Sequence, residues 1–342
     1  MIRFSGLKFS DSFGRFADPI ALKTRSPSFG SVEQGPMLRS HWLILALAVC
    51  ALAETGAHFY FRNRSPNEHQ WQALKPSVAQ LYHPNDCVVI APGWGDPLAR
   101  LHLGDGFMPL EKVARAGDES CERIIEVGFL GQRYVPASSW VEVERRESGP
   151  FLLSVRQNPR WEPSRYAFID HLDPRLLQVT LQQGSTPQSC TFNDHSRPSA
   201  GGLGGDPAAP QRRFSCPGGG FHWVGTTIID DEHYGPRRCI WAPPNRQGPV
   251  TLHFAQVPLG RKLVGHAGGP WLMVRDGLGP PITLAASISD SFNAHSQFQD
   301  TDGWVRFEWD TFAFENTVAD VALTITASPT TDQRFCFTLD AR

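Results

Sequence analysis

Residues 42–61 read WLILALAVCALAETGAHFYF, an apolar run of twenty positions with Arg39 and His41 before it and Arg62 and Arg64 after it. A helix of that length crosses a bilayer. Glu54 and His58 interrupt it, and a carboxylate near the bilayer centre costs about 2.5–3.5 kcal/mol on insertion scales. Two readings follow. In one, 42–61 is an uncleaved transmembrane anchor, because aromatic residues continue to Phe61 and Arg62 and Arg64 close the segment at an interface. In the other it is a signal peptide, with 42–52 as the apolar region and Ala51-Leu52-Ala53 as the small-x-small cleavage pattern. Met37 opens a conventional basic leader, so 1–41 forms an N-terminal extension of which 1–36 need not be translated.

Residues 62–80 are polar, with a short helical pattern at Trp71, Leu74 and Val78, and read as a stalk. A first unit over 81–193 begins with the apolar run Asp86-Cys87-Val88-Val89-Ile90-Ala91, stopped by Pro92-Gly93 as a buried strand is. Short β-rich runs at 124–130, 140–144, 151–155, 166–169 and 177–181 follow, separated by turn residues. The unit is β-rich or mixed α/β. Residues 194–219 form a Gly/Pro-rich loop, which places a domain boundary there. Over 220–342, strands are expected at 222–229, 249–254, 271–274, 282–288, 304–309, 321–326 and 335–339. Seven or eight short strands without a helix of ordinary length define a β-sandwich or jelly roll. The fold class is therefore mainly β, two β-rich units preceded by one apolar helix. No 20–50-residue period repeats, so a solenoid or propeller is unsupported.

Composition narrows the partners. With 41% hydrophobic and 11% aromatic residues the chain is globular. Its 32 Lys+Arg against 34 Asp+Glu leave a net charge of −2, so no basic field recruits nucleic acid. Cys50 lies in the apolar run, and six cysteines remain: Cys87, Cys121, Cys190, Cys216, Cys239 and Cys336. None has Cys-x-x-Cys spacing, which removes the main support for zinc and thioredoxin-like readings. An even number behind an export signal points to disulfides, with nearest neighbours in sequence as the expected pairs among 15 possible connectivities.

The carboxy-terminal pattern also carries a resemblance. Phe254-Ala255-Gln256-Val257-Pro258-Leu259-Gly260, then Gly265, the run 282–288, Asp302-Gly303-Trp304, the run 320–326 and the closing Phe335-Cys336-Phe337 resemble the galactose-binding-domain-like β-sandwiches, which include carbohydrate-binding modules. The likeness covers about 120 residues. It implies a sandwich with loops at one end available for carbohydrate, and it carries no ligand residues over, because such domains share none.

Motifs of the large enzyme classes are missing: there is no Gly-x-Ser-x-Gly elbow, no His-Glu-x-x-His, no phosphate-binding loop and no dinucleotide fingerprint. Gly201-Gly202-Leu203-Gly204-Gly205 follows no strand and reads as a flexible loop. Pro92-Gly93-Trp94-Gly95-Asp96-Pro97 places an indole between glycines, and sugar rings stack on such indoles through their C–H faces. Trp94, Asp96, Arg100, His102 and Asp105 are the candidate ligand-binding set. Asp230-Asp231-Glu232-His233-Tyr234 and Asp300-Thr301-Asp302-Gly303 are acidic turns, and Asp230, Asp231, Asp300 and Asp302 are candidate calcium ligands through their oxygens; no other cofactor is expected, and no catalytic residue is assigned.

Three functions fit these residues. The first is an exported, membrane-tethered, non-catalytic protein that binds cell-envelope or extracellular glycans. The second is a structural or assembly subunit docking a membrane partner without a small ligand. The third is a glycan hydrolase using Asp96, Asp105 or Glu111, whose mark is two acids roughly 5–9 Å apart. The expected location is a bacterial inner membrane, crossed once with the carboxy-terminal region in the periplasm, or the exterior after cleavage.

Overall fold

A computed structural model describes residues 37–201, 207–218, 220–277, 279–289, 291–328 and 333–342. Residues 1–36 of the expected extension 1–41, and most of the glycine run, Gly202 to Gly205, lie outside the described residues. Helix α1, Met37–Arg64, contains the apolar window Trp42–Tyr60, the one helix among the described residues long and apolar enough to cross a membrane.

The rest of the chain is built on three sheets. Helix α2, Glu68–Leu81, opens an α/β lobe. Asn67 caps it reciprocally: its side chain accepts from the Gln70 N–H at 3.0 Å while Gln70 Oε1 accepts from the Asn67 N–H at 2.8 Å. Strand β1 is Cys87–Ala91, helix α3 Asp96–Leu103, helix α4 Leu110–Val113, and strands β2, β3 and β4 are Arg123–Gly128, Val141–Ser148 and Phe151–Gln157. They form a four-stranded sheet in the order β1-β2-β4-β3, with β1 and β2 parallel and the other pairs antiparallel. Trp71, Leu74, Val78 and Leu81 bury one stripe of α2 beside Ala99 and Leu103 of α3 and Ile125, Phe151 and Leu153 of the sheet. The segment expected as a stalk is thus largely a core helix. The helical spacing at 71, 74 and 78 marks a face that needs a partner, and the sheet supplies it.

The sandwich starts upstream of the boundary expected at 194–219. Strands β5, β6, β7 and β8 are Tyr166–Ala167, Leu177–Gln183, Thr186–Ser189 and Thr191–Asn193. Next come β9 Arg213–Ser215, β10 Trp223–Asp230, β11 Pro236–Trp241, β12 Val250–Pro258 and β13 Lys262–Gly268. Helix α5, Trp271–Asp276, precedes β14 Ile282–Ile288, β15 Phe292–Phe298, β16 Val305–Asp310, β17 Val318–Ala327 and β18 Cys336–Ala341. One sheet runs β16-β13-β18-β11-β10-β9-β8 with β5 also on β18, and the other runs β15-β14-β17-β12-β6-β7. Because β6 pairs with β12 along Leu177 to Leu181, residues expected in the first unit supply sandwich strands. Alternation in β12 and β17 sends Leu252, Phe254, Leu323 and Ile325 inward to meet Leu263, Phe335, Phe337 and Leu339 from the other sheet. Residues 271–274, expected as a strand, are helical: Pro270 is the N-cap and Gly277, at φ +57°, ends the helix in the left-handed region.

Three disulfides join the expected nearest pairs, Cys87–Cys121, Cys190–Cys216 and Cys239–Cys336.

Candidate functional site

The segment 114–119 of the α/β lobe docks on the sandwich through its backbone carbonyls. Arg238 N–H donates to the Ala114 carbonyl at 2.6 Å, Arg237 Nη1 to Arg115 at 3.0 Å, Trp304 Nε1 to Ala116 at 2.9 Å and Arg342 Nη1 to Glu119 at 3.1 Å. These bonds hold the end of β1, α3 and the β10–β11 turn around one cleft of about 1190 Å³.

Its first wall comes from the loop after β1. The Ala91–Pro92 peptide is cis, and Gly93–Gly95 makes one 3₁₀ turn leading into α3. A Cβ on Gly95 would lie 2.8 Å from the Phe129 ring, so only glycine lets the turn close on that side chain. Trp94 meets the same ring edge-on, centroids 5.1 Å apart at 89°, and is still 56% exposed. Leu101, 74% exposed on α3, continues the apolar surface into the cleft.

Polar groups lie beside it. Arg100 donates to Asp105 Oδ1 through Nε at 3.2 Å and Nη2 at 2.9 Å. Arg115 donates to Asp118 and to the Tyr134 hydroxyl, which in turn donates to Asp118 at 2.8 Å. Burial pushes the Tyr134 phenol up to about 12, so it stays protonated. Burial also raises the Asp96 carboxyl, with Arg115 and Arg100 pulling it back down.

The sandwich contributes His233, Tyr234, Gly235, Pro236 and Arg237. Here the buried Asp231 organises the turn: its Oδ1 accepts from the His233 and Gly235 N–H groups at 2.9 and 2.7 Å, and Arg237 Nε donates to Oδ2 at 2.7 Å. Tyr234 sits at φ +59° and is 64% exposed. Its ring lies 5.3 Å from that of Trp271.

Of the expected ligand set, Trp94, Asp96, Arg100 and Asp105 line this cleft. His102 does not: its ring lies parallel to buried Trp71, centroids 6.5 Å apart, because α3 turns that position towards α2. Glu111 lines a separate cavity of about 330 Å³ between α4 and β10, away from Asp96 and Asp105. Sequence reasoning missed the contribution of 233–237, since no local pattern shows which turn faces the first lobe.

The acidic turns are tied into the fold. Besides the bonds of Asp231, Glu232 Oε2 accepts from the Trp304 N–H at 2.9 Å, which brings the two turns together. Asp300 accepts from the Gly279 N–H and Asp302 from the Gln299 N–H, both at 2.8 Å. Burial raises the Asp300 carboxyl against its bond from Gly279, and burial, with Asp231 adding, raises that of Asp230. Asp231, Glu232 and His233 each offer one ligand atom within 4.8 Å of the others. The oxygens of Asp231 are already taken by donors, which is the chemistry of a turn.

No family model matches the sequence, and no curated protein does. Among solved structures the chain is similar in part to Xylanase10C from Cellvibrio japonicus in complex with xylopentaose, at 12% identity and a TM-score of 0.23, over 37% of this chain and 26% of that one. It is similar to TmCBM61 in complex with β-1,4-galactotriose at 10% identity and a TM-score of 0.19, over 49% of this chain and 80% of that one. The glycoside hydrolase domain of Endo-D from Streptococcus pneumoniae R6 aligns at 13% identity and a TM-score of 0.21, over 34% and 20%. The chain spans about a quarter of the xylanase's length. At such scores the functional reading rests on the cleft.

Proposed function

We propose that this is an exported protein that binds glycans of the cell envelope or the extracellular space in the cleft between its two lobes, without transforming them. Export is supported by α1 and by three disulfides, which persist in oxidising compartments. Glycan binding is carried by one observation: Trp94 is held edge-on by Phe129 with its indole still open, beside Asp96, Arg100 and Asp105. An exposed indole offers an apolar face to sugar C–H groups, and the flanking carboxyls and guanidinium offer acceptors and donors to hydroxyls. The exposed apolar surface of Trp94 and Leu101 in a cleft is the kind of patch that marks a binding site.

The test is a glycan array probed with the full, oxidised chain in detergent micelles, alongside Trp94→Ala. The proposal expects binding to a defined glycan class, weakened about tenfold or more in Trp94→Ala, the loss of roughly 1.4 kcal/mol of stacking. Binding to nothing on the array by folded, oxidised protein overturns it, and so does binding that Trp94→Ala leaves unchanged.

A further inference from the structure

We infer that the cleft takes a linear glycan of several residues, stacked on two platforms, Trp94 from the α/β lobe and Tyr234 from the sandwich, rather than a single sugar. This rests on the glycan-binding reading above and specifies its ligand. Three observations carry it.

The first is size. A cleft of about 1190 Å³ exceeds the roughly 300–1,000 Å³ of sites that enclose one small molecule. A single ring bound at Trp94 leaves much of it to water.

The second is the second aromatic. Tyr234 lines the same cleft, more exposed than Trp94, and is backed by Trp271, over whose ring the Arg275 guanidinium sits at 4.9 Å. Two aromatic faces supplied by two lobes suit two sugar rings of one chain. A sugar on only one of them leaves the other as exposed apolar surface.

The third is the backbone. Tyr234 occupies the left-handed region although Gly235, which adopts it freely, is next in sequence. A bulky residue at positive φ is strained, and such strain persists only where the surroundings fix it. Here they do: Tyr234 N–H donates to the Asp231 carbonyl at 2.9 Å, and the Asp231 side chain, locked by Arg237, holds the N–H groups on either side. A Cβ at position 235 would lie 2.9 Å from Asp231 Oδ2, so the turn needs its glycine there and the tyrosine takes the strained place. The turn presents the ring in one orientation.

The arrangement supplies its own control. Tyr234→Gly removes the ring while relieving the strain, so a loss of binding in that variant is not a loss of fold. The experiment is calorimetric titration of the full, oxidised chain with ladders of galacto-, xylo- and chito-oligosaccharides from one to six residues, for the parent protein, Tyr234→Gly and Trp94→Ala. Affinity is expected to climb about tenfold or more between monosaccharide and tetrasaccharide. Tyr234→Gly abolishes that climb, while Trp94→Ala weakens every length. Equal affinity at all lengths, or a climb that survives Tyr234→Gly, overturns the two-platform inference and leaves glycan binding standing. No binding by any ladder overturns the inference, and with a blank array it removes the reading beneath it as well.

Discussion

Glu119 Oε1 of the α/β lobe lies 3.4 Å from His266 Nε2 of β13, inside the seam that holds the two lobes together. The imidazole is stacked parallel to Trp304, centroids 6.2 Å apart, and the charged groups around it are Glu119, Arg237, Arg306 and Arg342. Burial lowers its pKa from 6.5 to about 4; Glu119 opposes that shift and the three arginines reinforce it.

The sign of the pH dependence follows. Above pH 6.5 the imidazole is neutral whether the chain is folded or not, and the seam is at full strength. Between 6.5 and about 4 the unfolded chain takes up a proton that the folded chain refuses, so stability falls as pH falls. Over the whole window the loss from this group is up to about 3 kcal/mol at 1.36 kcal/mol per unit. Urea melts from pH 7.5 to 4 should show this decline in the parent protein and a flatter profile in His266→Gln.

A buried ion-pair network sits in the sheet of the α/β lobe. Glu126, fully buried, accepts from Arg133 Nε at 2.7 Å, Tyr134 N–H at 2.8 Å and Arg156 Nε at 3.0 Å. Removing one member of such a set strands the others, which costs about 3–5 kcal/mol. Glu126→Leu should lower the denaturant midpoint accordingly, and an effect below about 1 kcal/mol would mean the arginines find water instead.

The disulfides should differ by the loops they close. Cys239–Cys336 spans 97 positions and Cys190–Cys216 spans 26. The chain-entropy model then makes replacing the first pair with alanines about 1 kcal/mol more destabilising than replacing the second. Equilibrium unfolding of the two double variants measures the difference.

Helix α2 is part of the core, and one side chain tests it. Trp71 is 2% exposed and packs 4.6 Å from Phe151, centroid to centroid. Trp71→Ala should cost about 3–5 kcal/mol, as large aromatic truncations in a core do. A spacer residue would show almost no change.

The sequence made legible what depends on local pattern. Strands with clean alternation, such as β12 and β17, were readable because each signal lies within one segment, and the disulfides follow the order of the cysteines along the chain. Helix α3 was not, since Asp96-Pro97-Leu98-Ala99-Arg100-Leu101-His102-Leu103 buries only Ala99 and Leu103 and leaves Leu98 and Leu101 outside. Strand β15 escaped because Asn293, His295 and Gln297 alternate with Ala294 and Ser296, residues too small or polar to mark a face. Trp271 to Val274 looked like a strand by composition, and the caps at Pro270 and Gly277 made it a helix. Half of the cleft was visible in the loop around Trp94. The other half, Tyr234 and its turn, becomes part of a site only when Arg237 and Arg238 bond the carbonyls of 114–116, a contact between positions over a hundred residues apart.

The most direct test of the central claim is hydrogen–deuterium exchange of the full, oxidised chain with and without an oligosaccharide that binds it. Added protection is expected in two segments together, 93–105 around Trp94 and 231–237 around Tyr234, with the remaining loops of the sandwich unchanged. Protection confined to loops elsewhere on the sandwich, with 93–105 unaffected, would contradict it.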